Sequence, residues 1–213
     1  MLNVYIYWDK GYEFMPPMIK YIYDYNLKTS IKYNFKIHLF TDYNINKFIT
    51  LPKRFYDLAV NFKSDIIRFY ILHKYGGAWF DTDVIIIKNI KLLYKELLNS
   101  NKYAILDVET KIDKEILGCC SLFMKPNTPF SFECINYINQ ILEKKKEIER
   151  VEIGPGTIWN VYPKFKNSVI VNDYTKTKDG CNFISWNDNP GIDKSKWYYK
   201  NKAISRNKAF KIF

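Results

Sequence analysis

Asp81 and Asp83 stand two residues apart in the stretch Tyr75-Gly76-Gly77-Ala78-Trp79-Phe80-Asp81-Thr82-Asp83. Carboxylates at that spacing, just past a strand, can converge on one hard divalent cation, Mg2+ or Mn2+. Two protein carboxylates suffice where a bound diphosphate supplies further oxygens. Asp-x-Asp alone is a weak signal, since 13 aspartates in 213 residues give about one such pair by chance. The upstream Ser64-Asp65-Ile66-Ile67-Arg68 strengthens it. Positions 65 and 68 are three apart and face one way on a helix. An acid and an arginine there can bind the hydroxyls of a sugar or ribose. The competing reading is an N-terminal helix charge with an intrahelical ion pair.

Positioning these residues requires particular elements. β-Branched and aromatic residues predict strands at 3–7 (NVYIY) and 36–40 (KIHLF). Between them, Pro16 and Pro17 suit the first turn of a helix that continues through 18–25 on Ile19, Ile22 and Tyr23. The clearest helix is 64–75. Ser64 is its expected N-cap, Asp65 lies in its first turn, Ile67, Ile71 and Tyr75 share one side, and Gly76-Gly77 stops it. Strands are expected at 78–80, 84–87, 103–108 and 117–124, and helices at 91–98 and 128–149. Gly154-Pro155-Gly156-Thr157 reads as a turn, and 169–171 and 183–186 as late, short strands. Strands alternating with helices predict an α/β sheet, whose ligands bind beyond the carboxyl ends of the strands, where Asp81 and Asp83 fall. With no repeat or linker, one domain over 1–213 is expected.

Composition sets the limits. Hydrophobic residues make up 47% and charged residues 26%, an ordinary globular balance. The net charge of +11 attracts nucleic acid, anionic lipid or phosphorylated small molecules. Its densest run, Lys144 to Lys146, is interleaved with Glu143, Glu147 and Glu149 and reads as a solvated helix face. No apolar stretch approaches the roughly 18 residues that span a bilayer, and Trp8-Asp9-Lys10 ends the opening apolar run too soon for a signal peptide. Cys119, Cys120, Cys134 and Cys181 form no CxxC pair; they read as free thiols of a reducing compartment. A cytoplasmic monomer is expected.

The segment SDIIRFYILHKYGGAWFDTD resembles the signature of DXD-containing sugar transferases: the capsular-polysaccharide-synthesis type, the yeast initiating-mannosyltransferase type and the glucosylating domain of large clostridial toxins. The opening VYIYWDKGYEFMPP, a following helix and KIHLFTD resemble the N-terminal part of these families. The likeness covers about residues 3–88 and is thin beyond. Chain size and the YIYWDKG opening are also similar to glycosyltransferase domains of the chlorella-virus capsid-decorating type. The resemblance implies a GT-A-like α/β fold, with a mostly parallel central sheet flanked by helices. It implies a nucleotide-binding donor half over about 1–110 and an acceptor half over about 111–213. The implied reaction is metal-dependent transfer of a hexose from a nucleotide sugar, usually a UDP-sugar, to a hydroxyl of a glycan or glycoprotein, with Mn2+ or Mg2+.

Residue roles follow from the same resemblance. Asp65 and Arg68 hold donor sugar and ribose, Asp81 touches ribose and the metal's water shell, and Asp83 binds the metal directly. Tyr5, Tyr7 and Trp8 fall where the first strand meets the nucleobase, with core packing as the plain alternative. Gly154 and Gly156 match a Gly-Pro turn found near the acceptor and join the donor-binding set. These families often add a late His or acid as a metal ligand. His38 and His73 come too early, which leaves Asp188, Ser205 and Asn207. An inverting reaction needs a carboxylate to take the acceptor's proton, and Asp107, Glu109 and Asp188 are candidates; retention needs none. Asp107, after a predicted strand, leads them.

Three rivals compete. A basic, aromatic-rich chain suits nucleic acid, but no RRM, OB or helix-turn-helix signature appears and the acids would repel phosphates, so no nucleic-acid partner is expected. Phosphohydrolases and nucleotidyltransferases also gather carboxylates around Mg2+. The third is a nucleotide-sugar binder that no longer transfers.

Overall fold

The computed structural model describes residues 1–111, 114–149, 151–172 and 183–185. Five α-helices and eight strands form among them, with four short 3-10 turns between: β1 (Asn3–Tyr7), α1 (Pro17–Tyr33), β2 (Lys36–Phe40), α2 (Val60–Tyr75), β3 (Gly77–Phe80), β4 (Val84–Ile86), α3 (Lys91–Asn99), β5 (Ala104–Lys111), β6 (Lys114–Met124), α4 (Pro129–Lys144), α5 (Pro155–Phe165), β7 (Val169–Asn172) and β8 (Phe183–Ser185).

Six strands make the central sheet in the order β2-β1-β3-β6-β5-β7, and β4 pairs with β8 apart from it. The β1–β2, β1–β3 and β5–β7 pairings are parallel, while β6 runs antiparallel to both its neighbours. Helices cover both faces, so the strands read as near-continuous apolar runs. On one face Tyr5, Tyr7, Trp79, Leu106 and Leu122 meet Ile67 and Phe69 of α2, Phe130 and Ile138 of α4, and Ile158 of α5. On the other, Val4, Ile6, Ala78, Phe80 and Phe123 meet Leu97 of α3, with Tyr23 and Tyr33 of α1 at its margin.

The expected strands and helices form with shifted boundaries; α4 ends at Lys144, so Lys145, Lys146, Glu147 and Glu149 lie beyond the helix and not on its face. α1 runs on to Tyr33, capped by Asn34 in the left-handed region at φ 56°. Its buried side carries Asn26, Thr29 and Ser30, polar residues that break the apolar period. α2 begins at Val60, with Ala59 at its N-cap, so Ser64 is interior and Asp65 is not in the first turn. The dipole argument for Asp65 therefore falls, and its ion pair with Arg68 stands. Gly154-Pro155-Gly156-Thr157 is not a free turn. Gly154 is the N-cap of α5, and Pro155 pre-sets its first helical position.

The turn from α2 into β3 requires glycine. Gly77 has φ +105°, and a Cβ there would lie 2.5 Å from the Asn3 carbonyl oxygen of the adjacent strand. That close approach seats β3 beside β1.

Candidate active site

The parallel strands β1, β2 and β3 bring Trp8, Asp42 and Asp81 to one edge of the sheet. Phe80 pairs with Ser121, so the Cys119-Cys120 segment of β6 reaches the same edge. α2 leads into β3, and its N-terminal half brings Lys63, Asp65 and Arg68 to this edge.

Arg68 is the hub. It is 3% exposed, and its Nη2 lies 2.7 Å from Asp65 Oδ1 and 3.0 Å from Asp81 Oδ1. Its Nη1 donates to the Cys119 carbonyl, and its guanidinium stands 5.5 Å from the Trp79 ring centroid. Trp79 Nε1 also donates to Asp81 Oδ1, at 2.8 Å. Asp81 Oδ1 is thus held twice, while Oδ2 takes no hydrogen bond among the described residues. The Asp81 amide donates to the Cys120 carbonyl at 2.8 Å, and Val84 N–H closes the Asp81–Val84 turn on the Asp81 carbonyl at 3.0 Å. Asp83 sits inside that turn, 6% exposed.

Burial pushes the Asp65 carboxyl up to about 7; Arg68 pulls it back, and Asp81 raises it again. An ion pair at 2.7 Å does not offset that desolvation. Burial alone would lower Arg68, but Asp81, the Cys119 and Cys120 thiols and Asp65 outweigh it and hold the guanidinium above its ordinary value.

Asp107 stands on β5 where the ladder shifts. Leu106 faces Leu122, yet Asp107 faces Gly118, so Cys119-Cys120-Ser121 form an excursion in β6. From it Ser121 Oγ (2.9 Å) and Cys120 Sγ (3.0 Å) donate to Asp107 Oδ2. The excursion therefore touches Arg68, Asp81 and Asp107 together.

Of the three aromatics proposed for the nucleobase, Tyr5 and Tyr7 are each 4% exposed and belong to the core on the α2 side. Tyr5 stacks on Phe40 at 5.6 Å between centroids, and burial pushes its hydroxyl up to about 12. Trp8 is half-buried at the strand end. Gly154 packs against Asp65, and Gly156 is buried in the first turn of α5. His38 bonds Asn3 and His73 bonds Ser131, each away from the acid cluster. Cys119, Cys120 and Cys134 form no disulfide among the described residues. Asp188, Ser205, Asn207 and Cys181 lie outside the described residues, as does the side chain of Glu109.

One network at the edge had no sequence signature. Tyr7 donates to Asp42 Oδ1 at 2.5 Å, and the nearly buried Lys63 donates to Asp42 Oδ2 at 2.7 Å. Burial, then the Asp42 bond, raises the Tyr7 hydroxyl. The position of Asp42 just past β2 was the available clue.

The donor set suits a hard cation. Among the described residues no three His, Cys, Asp or Glu gather as a metal cluster, so a cation at the Asp81-x-Asp83 pair would need further oxygens from a ligand. Two buried polar atoms also lack partners among the described residues, Arg68 Nε and Thr157 Oγ1. Both belong to the segments that meet at Asp65, which fits a polar ligand or ordered water there.

A family model described as capsular polysaccharide synthesis protein matches residues 1–150. No curated protein matches the chain. Among solved structures, a glycosyltransferase involved in glycosylation of the major capsid of PBCV-1 superposes with TM-score 0.54 at 12% identity, over 81% of this chain and 82% of that one. The galactosyltransferase LgtC, in complex with donor and acceptor sugar analogs, aligns with TM-score 0.46 at 9% identity, over 80% of this chain and 73% of that one. No helix among the described residues is long and apolar enough to cross a membrane. With the family model covering more than half of its length, and its sheet shared with the PBCV-1 structure, the chain belongs to the capsular polysaccharide synthesis protein family and has the GT-A glycosyltransferase fold.

Proposed function

We propose that the chain transfers a hexose from a nucleotide sugar, by preference a UDP-sugar, to a hydroxyl of a glycan or glycoprotein, with Mn2+ or Mg2+ held by Asp81 and Asp83. The observation that carries this reading is the Arg68 guanidinium clasped between Asp65 and Asp81 at the carboxyl edge of the sheet, directly before Asp83.

The leaving group of such a transfer is a nucleoside diphosphate, on which negative charge builds in the transition state. The cation supplies Lewis-acid stabilisation of that charge. Arg68 is fixed on both sides, so it meets the diphosphate or ribose without reorganising. Asp65 faces the donor-sugar hydroxyls. Trp8, half-buried at the end of β1, offers a ring to the base. If the anomeric centre inverts, Asp107 takes the acceptor proton, its Oδ2 oriented by Ser121 and Cys120. The family's description supports a polysaccharide acceptor, and the role of the PBCV-1 protein supports a glycoprotein one.

Calorimetric titration with UDP, GDP and their sugars tests the proposal, first with Mn2+ and then with EDTA. Metal-dependent binding of one nucleotide family is expected and names the base. Binding of none would leave Asp81 and Asp83 a chance pair. Released sugar or pyrophosphate, without a new glycosidic bond, would favour a hydrolase or nucleotidyltransferase.

A further inference from the structure

Asn26 lies in the middle of α1, 1% exposed, and its side chain grips β4 in both senses. Nδ2 donates to the Val84 carbonyl at 2.8 Å, and Oδ1 accepts from the Ile86 amide at 2.8 Å. Residues two apart on a strand turn their backbone groups to the same side. One amide therefore satisfies the acceptor and donor that a neighbouring strand would otherwise meet. The other side of β4 pairs antiparallel with β8, centred on Ile85 opposite Ile184. β4 is held as the middle of three, with a helix side chain in place of the third strand.

Packing does not explain the amide. The surroundings are apolar: Ile19 and Ile22 of α1 pack with Ile85. An apolar residue at position 26 would fill the space without bringing a polar group into the core. What the amide adds is register. A slip of one residue in β4 would put Val84 and Ile86 on the wrong side, and Asn26 bonds only one alignment.

β4 starts immediately after Asp83. The turn Asp81–Val84 is anchored at its entry by Asp81 N–H on the Cys120 carbonyl, at 2.8 Å, and at its exit by the Asn26 bond to Val84. We propose that Asn26 is a positioning residue for the Asp83 carboxylate, setting from α1 the geometry with which Asp83 meets the divalent cation. This rests on the donor-site reading above.

The test uses the full chain with Asn26→Asp and Asn26→Leu. Asn26→Asp keeps an acceptor for the Ile86 amide and turns a second oxygen on the Val84 carbonyl; it keeps the test open should Asn26→Leu fail to fold. Ile138→Ala, in α4 on the opposite face, is the control for general loss of stability. The readouts are melting temperature, the Mn2+ concentration that half-saturates UDP binding, and UDP binding in EDTA. The Asn26 variants are expected to need about tenfold more Mn2+, the usual cost of losing an outer-shell partner, with UDP binding in EDTA unchanged. Ile138→Ala is expected to lower the melting temperature and leave the Mn2+ requirement alone. Wild-type Mn2+ affinity in both Asn26 variants, or an equal loss in Ile138→Ala, overturns the proposal. Wild-type protein that binds UDP equally with Mn2+ and EDTA overturns the donor-site reading itself, a distinguishable result.

Discussion

The Asp65 carboxylate rests against the α-carbon of Gly154: a Cβ built on Gly154 would lie 2.6 Å from Asp65 Cγ and Oδ1. Gly154 also holds φ +76°, a backbone that side chains rarely adopt. Gly154→Ala is therefore expected to lose roughly 1–3 kcal/mol from the backbone alone, and more from displacing the acid. Thermal denaturation and UDP titration should both show the loss; wild-type values in both would mean that the Asp65–Gly154 contact has slack.

Asp65 should also give the protein a pH signature. Its folded carboxyl titrates at about 7, above the ordinary 3.8. Between those values the folded chain keeps a proton that the unfolded chain releases. Stability then falls as pH rises through that window and levels off above it. Asp65→Asn removes this titration, so its stability relative to wild type should improve from pH 5 to pH 8. Parallel pH profiles from chemical denaturation would refute the shift.

For Asp83 the expectation is loss of function without loss of fold. Asp83→Ala should abolish Mn2+-dependent nucleotide binding while far-ultraviolet circular dichroism stays native. A folded variant that still binds UDP tightly and only with Mn2+ would take Asp83 out of the site.

Arg68 is different, because structure and site share it. Removing it leaves Asp65 and Asp81 close together with no cation between them, at a cost of about 3–5 kcal/mol. Arg68→Ala should lose donor affinity and stability together. Arg68→Lys should recover part of the stability and little of the affinity, since an ammonium cannot span Asp65, Asp81 and the Cys119 carbonyl at once. Unchanged donor affinity in Arg68→Ala would leave only an internal ion pair.

Much of this was legible in the chain. Periodicity and glycine punctuation placed β1, β2, β3 and the end of α2, and with them Asp65, Arg68, Asp81 and Asp83 at a sheet edge. Boundaries failed where a polar residue serves the interior. Asn26, Thr29 and Ser30 ended the expected α1 early, because a buried side chain bonded to distant main chain looks like a solvent-facing one in sequence. Lys63 and Asp65 likewise concealed the first turn of α2. Gly154 read as a turn because nothing local says that the acid pressed against it lies on α2. The Cys119-Cys120-Ser121 excursion reaches Arg68 and Asp81 through main-chain carbonyls, which carry no residue-type signature.

That excursion bears on how the protein can be re-engineered. The family resemblance implies, within one domain, a donor half ending near residue 110 and an acceptor half after it. Yet β6, from the second, is wedged between β3 and β5 of the first, and its carbonyls grip Arg68 and Asp81. A chimera spliced at that seam would inherit the proposed donor site with its hub, Arg68, fastened by another protein's strand. Grafting a new acceptor preference onto this scaffold means leaving β6 in place and varying what lies beyond it.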